Sequence, residues 1–308
     1  MKTSTFKIIV PDGPRIHGYR WLPPGEPMAV VQIIHGMSEH AARYARFAEA
    51  MTDTGIAVYA ADLPGHGKTA REGELGHFAD RRGWRVALGA VAAVHAEIED
   101  EQSGKPVFML GHSMGSFLLQ HYLVEHGAKL SGAILSATTG DMGLLRVVGL
   151  ALLRIEALIL GTRHRSKLGE QLSFRDFNKK FKPARTGFDW LSRDPAEVDK
   201  YVADPLCGFR CSSGLWVELL SAGARLSDIA RLRHIPPKLP VLMIAGEADP
   251  VSRGAAGPKI LEHAYRAAGL EDVVVNVYEG ARHELLNETC RDQVTADIRD
   301  WLLNHLPA

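Results

Sequence analysis

Gly111-His112-Ser113-Met114-Gly115 is a G-x-S-x-G pentapeptide set between an apolar strand candidate, Val107 to Leu110, and an apolar helix candidate, Ser116 to Glu125. A serine hydroxyl is a poor nucleophile unless it stands on a tight turn where a base can reach it, and glycines on both sides let strand and helix approach closely. Gly111 and Gly115 supply that room. The base is sought among fourteen histidines. His283 lies just past the last strand candidate, in Tyr278-Glu279-Gly280-Ala281-Arg282-His283-Glu284, on the kind of loop where parallel sheets gather functional groups. The acid that orients it should follow an earlier strand, and Ala245-Gly246-Glu247-Ala248-Asp249-Pro250 offers two carboxylates. Asp249 is better placed, beyond the glycine and fixed by the following proline; Glu247 and Asp141 are the alternatives. Ser113, Asp249 and His283, in that chain order, fit acyl transfer through a covalent serine intermediate.

Such chemistry also needs donors for the oxyanion that develops on the carbonyl oxygen, usually two backbone NH groups fixed beforehand. Met114, directly after the nucleophile, provides one. The other is expected from the loop after the third strand, Ile34-His35-Gly36-Met37-Ser38-Glu39-His40, at Met37. His35 reads as a structural turn residue and not a second base. The segment Ala61-Asp62-Leu63-Pro64-Gly65-His66-Gly67 reads as a tight turn in which Asp62 and His66 hydrogen-bond locally.

Holding these residues requires a sheet. Thr5 to Val10 and Arg15 to Leu22, separated by Pro11-Asp12-Gly13-Pro14, read as an antiparallel hairpin. Six short runs follow, at Ala29 to Ile34, Ile56 to Ala60, Val107 to Leu110, Gly132 to Leu135, Val241 to Ala245 and Val273 to Tyr278. They are apolar on both faces, as strands of a doubly covered parallel sheet are. Helical patterns at Tyr44 to Thr52, Trp84 to Ile98, Ser116 to Glu125, Ala255 to Ala268 and Gln293 to Leu303 alternate with them, so the class is α/β. About a hundred residues separate the strand near Ser136 from the one at Val241, too many for a crossover. Residues 139–235 are therefore expected to form an inserted helical cap on a catalytic domain of residues 1–138 and 236–308.

Composition narrows the function classes. Thirty-six basic side chains balance thirty-six acidic ones, so the overall field gives no reason to expect nucleic acid, and small molecules are the expected partners. The N-terminus carries no secretory pattern and the three cysteines, Cys207, Cys211 and Cys290, form no disulfide framework, which points to the cytoplasm. Cys207 and Cys211 lack neighbouring cysteine or histidine ligands in the sequence, so no metal is expected there.

The sequence resembles the lysophospholipase and monoacylglycerol lipase branch of the α/β hydrolases, which is often filed with the serine aminopeptidases. The likeness rests on His35-Gly36-Met37-Ser38-Glu39-His40 with Arg43-Tyr44, Asp62-Leu63-Pro64-Gly65-His66-Gly67, Gly111-His112-Ser113-Met114-Gly115, Gly246-Glu247-Ala248-Asp249 and Tyr278 to His283, and covers nearly the whole chain. Weaker matches fall at Leu191-Ser192-Arg193-Asp194-Pro195 and Ala203-Asp204-Pro205-Leu206. The resemblance implies an eight-stranded, mostly parallel sheet, a cap inserted after the sixth strand, no cofactor, and acyl ester hydrolysis through an acyl-enzyme. Peptidases of this group usually carry His-Gly-Gly-Pro-Gly where this chain has His35-Gly36-Met37-Ser38, which argues against peptide hydrolysis.

The cap stretch Leu144 to Leu160 is apolar on most faces but interrupted by three charges, so it does not read as a bilayer span. Downstream, Arg163, Arg165, Lys167, Arg175, Lys179, Lys180, Lys182 and Arg185 outnumber Glu170 and Asp176. Two readings stand: a lid helix meeting an acyl chain or a membrane surface, with the protein peripheral at membranes, or a helix packed on the catalytic domain beside a solvated basic face. The expected substrate is a medium- or long-chain acyl ester, a monoacylglycerol or lysophospholipid. A small-molecule carboxylesterase, thioesterase or lactonase would use the same triad, and a non-enzymatic ligand-binding protein of this fold is the remaining reading.

Overall fold

The computed structural model describes residues 1–10, 13–140 and 143–307. Eight strands form one sheet in the order β1-β2-β4-β3-β5-β6-β7-β8. They span Lys2–Ile9 (β1), Arg15–Leu22 (β2), Ala29–Ile34 (β3), Ile56–Ala61 (β4), Val107–His112 (β5), Gly132–Ser136 (β6), Val241–Gly246 (β7) and Val273–Tyr278 (β8). β3 to β8 run parallel; β2 is antiparallel to both β1 and β4. The expected hairpin is present, but β1 starts at Lys2, because its register, Lys2 with Leu22 through Ile9 with Arg15, gives polar residues backbone partners that local patterning does not reveal. Of the turn between these strands, Pro11 and Asp12 lie outside the described residues.

β3 to β7 are buried along their whole length, as strands covered on both faces must be. β8 departs from that expectation: Val274 and Val277 are exposed, because β8 is the sheet edge and only partly covered. Helices Gly83–Glu101 (α2) and Met114–His126 (α3) cover one face, where Val91, Val94 and Ile98 meet Leu118, Leu119 and Tyr122 around Met109 and Leu135. Helix Ala45–Thr52 (α1) covers the other, where Phe47 and Met51 pack with Val58 and Leu110, together with Ile298 and Trp301 near the C-terminus. Successive strand residues alternate between these two cores.

Between β6 and β7 the chain forms Gly143–Leu160 (α4), Lys167–Glu170 (α5), Asp176–Asn178 (α6), Pro195–Ala203 (α7), Ser213–Ala222 (α8) and Ile229–Leu232 (α9). α7 starts where Asp194 accepts the Ala196 NH at 3.0 Å and Pro195 takes the first helical position, where no NH is needed. α8 joins this segment to the sheet layer: the Gly83 NH donates to Glu218 Oε1 at 3.0 Å, and Trp216 and Leu219 belong to the α2–α3 core. α4 packs on α8 and α5 with Leu150 and Leu153 buried, while Ile155, Leu158 and Ile159 are 54%, 86% and 71% exposed. It is thus buried along one face only. The last two helices, Ala256–Ala268 (α10) and Arg291–Asn304 (α11), return to the two faces of the sheet.

β3 connects to β4 on one side while β5 lies on the other, so the loops after β3 and β5 diverge at a crevice beyond their C-terminal ends. Open α/β sheets bind ligands at such switch points.

Candidate active site

Ser113 sits in that crevice between β5 and α3, with φ 51° and ψ −119°. A non-glycine residue in this region costs about 1–3 kcal/mol and persists only where its surroundings hold it. The holding bonds are the Ser113 NH to Ser136 O at 2.9 Å, the Ser116 NH to Ser113 O at 2.9 Å, and Ser116 Oγ to the same carbonyl at 2.6 Å. The flanking glycines are obligatory. A Cβ on Gly115 would lie 2.0 Å from Ile34 O, and one on Gly111 would lie 2.5 Å from Gly115 O.

His283 and Asp249 meet behind this turn. Asp249 Oδ1 accepts from His283 Nδ1 at 2.9 Å, and both residues are almost fully buried, 3% and 1% exposed. The remaining acceptor capacity of Asp249 is filled by the Val251 NH at 2.9 Å on Oδ1, and by Ser252 Oγ at 2.7 Å and the Ser252 NH at 3.3 Å on Oδ2. Burial by itself would raise this carboxyl, but the charge and hydrogen bond of His283, with Ser252 and the Val251 NH, hold it below the ordinary carboxylate range. A charged Asp249 keeps the proton of His283 on Nδ1 and leaves Nε2 free to accept. Of the alternatives, Glu247 turns away and accepts the Gly280 NH at 2.9 Å; Asp141 lies outside the described residues.

Rings box in the imidazole. His112 and Trp190 each approach His283 at 4.9 Å between centroids. Burial and the neighbouring His283 push His112 down to about 4, so it stays neutral at neutral pH and holds a proton poorly.

The loop after β3 is fixed with equal care. His35 Nδ1 donates to Gly36 O at 2.7 Å, and His35 Nε2 accepts the Leu63 NH at 2.9 Å, which sets its tautomer. The Gly36 carbonyl shares a peptide plane with the Met37 NH, so His35 fixes the direction of that NH. Burial lowers His35 to about 3, in keeping with a neutral turn residue. The Gly36 NH is spent on Glu39 Oε1 at 2.6 Å, which makes the Met37 NH the next one along the loop. Met114, as first residue of α3, carries an NH that no carbonyl of its own helix can take. Met37 and Met114 both line the cavity in front of Ser113. Asp62 accepts the Ala41 NH and the Lys68 NH, each at 2.8 Å, and His66 donates to Pro64 O at 2.9 Å. Both serve turns, as their spacing predicts.

The cavity measures about 410 Å³ and runs from Ser113 and His283 under the β6–β7 segment. Its lining is mostly apolar, with Leu152 and Leu153 of α4, Leu172, Trp216, Leu219 and Leu220, beside the polar Arg146, Ser173 and Asp176. The segments Leu191 to Pro195 and Ala203 to Leu206 are the clasps that seat it: the Glu284 NH donates to Leu191 O at 2.8 Å, Arg193 Nε to Glu288 Oε2 at 2.9 Å, and His40 Nε2 to Asp204 Oδ2 at 2.9 Å. Among the described residues, His40, Asp204 and Cys207 form the one group whose donors lie close enough together, within 4.8 Å, to hold a metal ion. Folding therefore gives Cys207 a histidine neighbour that its sequence surroundings lack. His40 is engaged by Asp204, and this pair acts as a clasp, while burial raises the Cys207 thiol.

Sequence reasoning did not find Ser252, Trp190 or the partners of Glu39. Ser252 had a local signal, a hydroxyl three residues after an aspartate that begins a turn. Trp190 had none, since its place beside His283 depends on how the inserted segment folds back.

Comparison with known proteins places the chain in a family. Residues 25–290 match the family described as serine aminopeptidase, S33. The chain belongs to this family. It is similar to the monoacylglycerol lipase of Mycolicibacterium smegmatis, 30% identical over 93% of this chain and 92% of the relative. It is 28% identical to the monoglyceride lipase of Homo sapiens, over 96% of this chain and 89% of the relative. Among solved structures, a thermostable carboxyl esterase from Bacillus coagulans superimposes with a TM-score of 0.90 at 26% identity, covering all of both chains. The fold of this family member is that of the α/β hydrolases.

Proposed function

We propose that Ser113 attacks the carbonyl of an acyl ester while His283 takes its proton, Asp249 keeps the imidazole in the accepting tautomer, and the Met37 and Met114 NH groups hold the oxyanion. The protonated His283 then donates to the departing alcohol, and water, activated by the same histidine, releases the acid. The chain is a carboxylic ester hydrolase; its relatives are monoacylglycerol lipases, and we extend that substrate class, with lysophospholipids, to this chain. The observation that carries the reading is a strained serine with a buried histidine–aspartate pair, opening on a mostly apolar cavity. Residues 139–235 act in it as the cap that supplies apolar walls of that cavity.

Initial rates on p-nitrophenyl esters from acetate to palmitate, beside a monoacylglycerol and a lysophospholipid, test the substrate class. Rates should rise with chain length, since each methylene buried in the cavity contributes about 0.8 kcal/mol. Rates confined to acetate and butyrate would instead match a small-molecule carboxylesterase, the reading favoured by the similar thermostable esterase.

The exposed apolar face of α4 adjoins the cavity walls, and exposed Lys167, Lys179, Lys180 and Lys182 lie in the segment that follows. No helix among the described residues is long and apolar enough to cross a membrane. The pattern supports contact of the cap with a lipid surface, where such a face is stabilised by burial in the interface. Converting Leu158 and Ile159 together to Glu should lower binding to phosphatidylcholine–phosphatidylglycerol vesicles by about tenfold or more, and leave hydrolysis of dissolved p-nitrophenyl butyrate unchanged. Equal sedimentation with vesicles by both proteins would refute the contact.

A further inference from the structure

Arg43 takes no part in the acyl transfer described above and yet touches both the loop that carries Met37 and the loop that carries His283. Its Nη1 donates to Glu39 Oε2 at 2.9 Å and to Glu284 Oε1 at 2.6 Å, and its Nη2 donates to Glu284 Oε2 at 2.7 Å. The second oxygen of Glu39 accepts the Gly36 NH at 2.6 Å and the Tyr44 hydroxyl at 3.1 Å. Glu284 directly follows His283. The guanidinium lies 4.9 Å over the ring of Tyr201, whose hydroxyl donates to Ser38 O at 2.8 Å and which itself lines the cavity.

Both carboxylates of this ladder are buried. Burying three charges is often no more stabilising than packing apolar residues of the same volume, so stability alone does not account for the arrangement. Geometry does, because a planar guanidinium bidentate to a carboxylate fixes direction as well as distance. Glu39 pins the peptide plane before Gly36, and His35 pins the plane after it, which carries the Met37 NH. The other end of the ladder holds the side chain of Glu284, the residue after His283.

We propose that Arg43 is a positioning residue: the Glu39–Arg43–Glu284 ladder keeps the oxyanion-donor loop in register with the His283 loop, and Tyr201 ties that register to the wall of the acyl cavity. This rests on the assignment of Met37 and His283 given above. The ladder joins residues 241 positions apart, Arg43 and Glu284, and so acts only in the folded chain.

The test compares Glu284→Gln, Arg43→Lys and Tyr201→Phe in the full chain, each rate divided by the concentration of active serine titrated with a fluorophosphonate. A misplacement of about 1 Å costs on the order of 100-fold in rate. Glu284→Gln and Arg43→Lys should therefore lower kcat by about 10- to 100-fold on a soluble p-nitrophenyl ester, with KM within about threefold of the parent. The affinity of an alkylboronic acid, which becomes tetrahedral on Ser113 and places an oxygen against the oxyanion donors, should fall by a similar factor. Tyr201→Phe, which keeps the ring under Arg43, should lower kcat by only a few-fold. A merely structural ladder predicts a lower Tm but unchanged kcat per titrated serine and unchanged boronate affinity, and that result overturns the proposal. Should Arg43→Lys not fold, Glu284→Gln, which keeps shape and removes charge, carries the same readouts. Activity surviving in Ser113→Ala would overturn the underlying site assignment instead, so the two failures are told apart.

Discussion

Replacing Ser113 by alanine lowers kcat by about 10³- to 10⁶-fold and leaves the protein folded. The substitution removes one oxygen and keeps the Cβ, so the turn retains its φ of 51° and the bonds from Ser113 NH to Ser136 O and from Ser116 to Ser113 O. No stability is gained, because alanine is as strained there as serine. What remains are the oxyanion donors and the apolar cavity, which bind an ester and polarise its carbonyl but offer no atom to attack it. Circular dichroism melting and p-nitrophenyl ester turnover on the same sample check both halves. Residual activity within about tenfold of the parent would place the nucleophile elsewhere.

Asp249→Asn is expected to cost about 10²- to 10⁴-fold in kcat/KM. The size depends on how the amide settles among donors already in place. Turned toward the Oδ1 position, its NH₂ faces the Val251 NH and the His283 Nδ1 proton, and the imidazole must move that proton to Nε2, where it can no longer accept from Ser113. Turned toward Oδ2, it meets the Ser252 hydroxyl, which can rotate to accept, and the Ser252 NH at the longer distance of 3.3 Å. That orientation keeps the tautomer and loses only the charge that stabilises the imidazolium. The second arrangement has fewer opposed donors, so the loss should fall toward the lower end of the range, and Ser252→Ala added to it should push the loss toward the upper end. Kinetics of the single and double variants decide the matter, and a loss below tenfold for Asp249→Asn would remove it from the orienting role.

These two residues were legible in the sequence because their signals are local and combine. G-x-S-x-G between an apolar strand and an apolar helix demands a tight turn, and the structure explains each glycine by a carbonyl that a Cβ would strike. Asp249 and Glu247 both lie past the end of β7, and the sequence favoured Asp249 for its place further into the loop before Pro250. Folding separated them, sending Glu247 to the Gly280 NH and Asp249 under His283. Asp62 and His66 were readable as turn residues since their partners lie within a few positions or on the adjoining loop.

The sequence by itself determined the alternation of strands and helices, the turn that strains Ser113, and the order of the three chemical groups along the chain. Each of these follows from spacing within a dozen residues or from which loop follows which strand. Only the tertiary structure decided that β8 is an edge with exposed valines, that α4 shows an apolar face to solvent, that Trp190 flanks His283, and that Arg43 joins Glu39 to Glu284. Those facts turn on which surfaces are left uncovered, and on side chains up to 241 positions apart meeting in a buried space where an unpaired charge would be strongly destabilising.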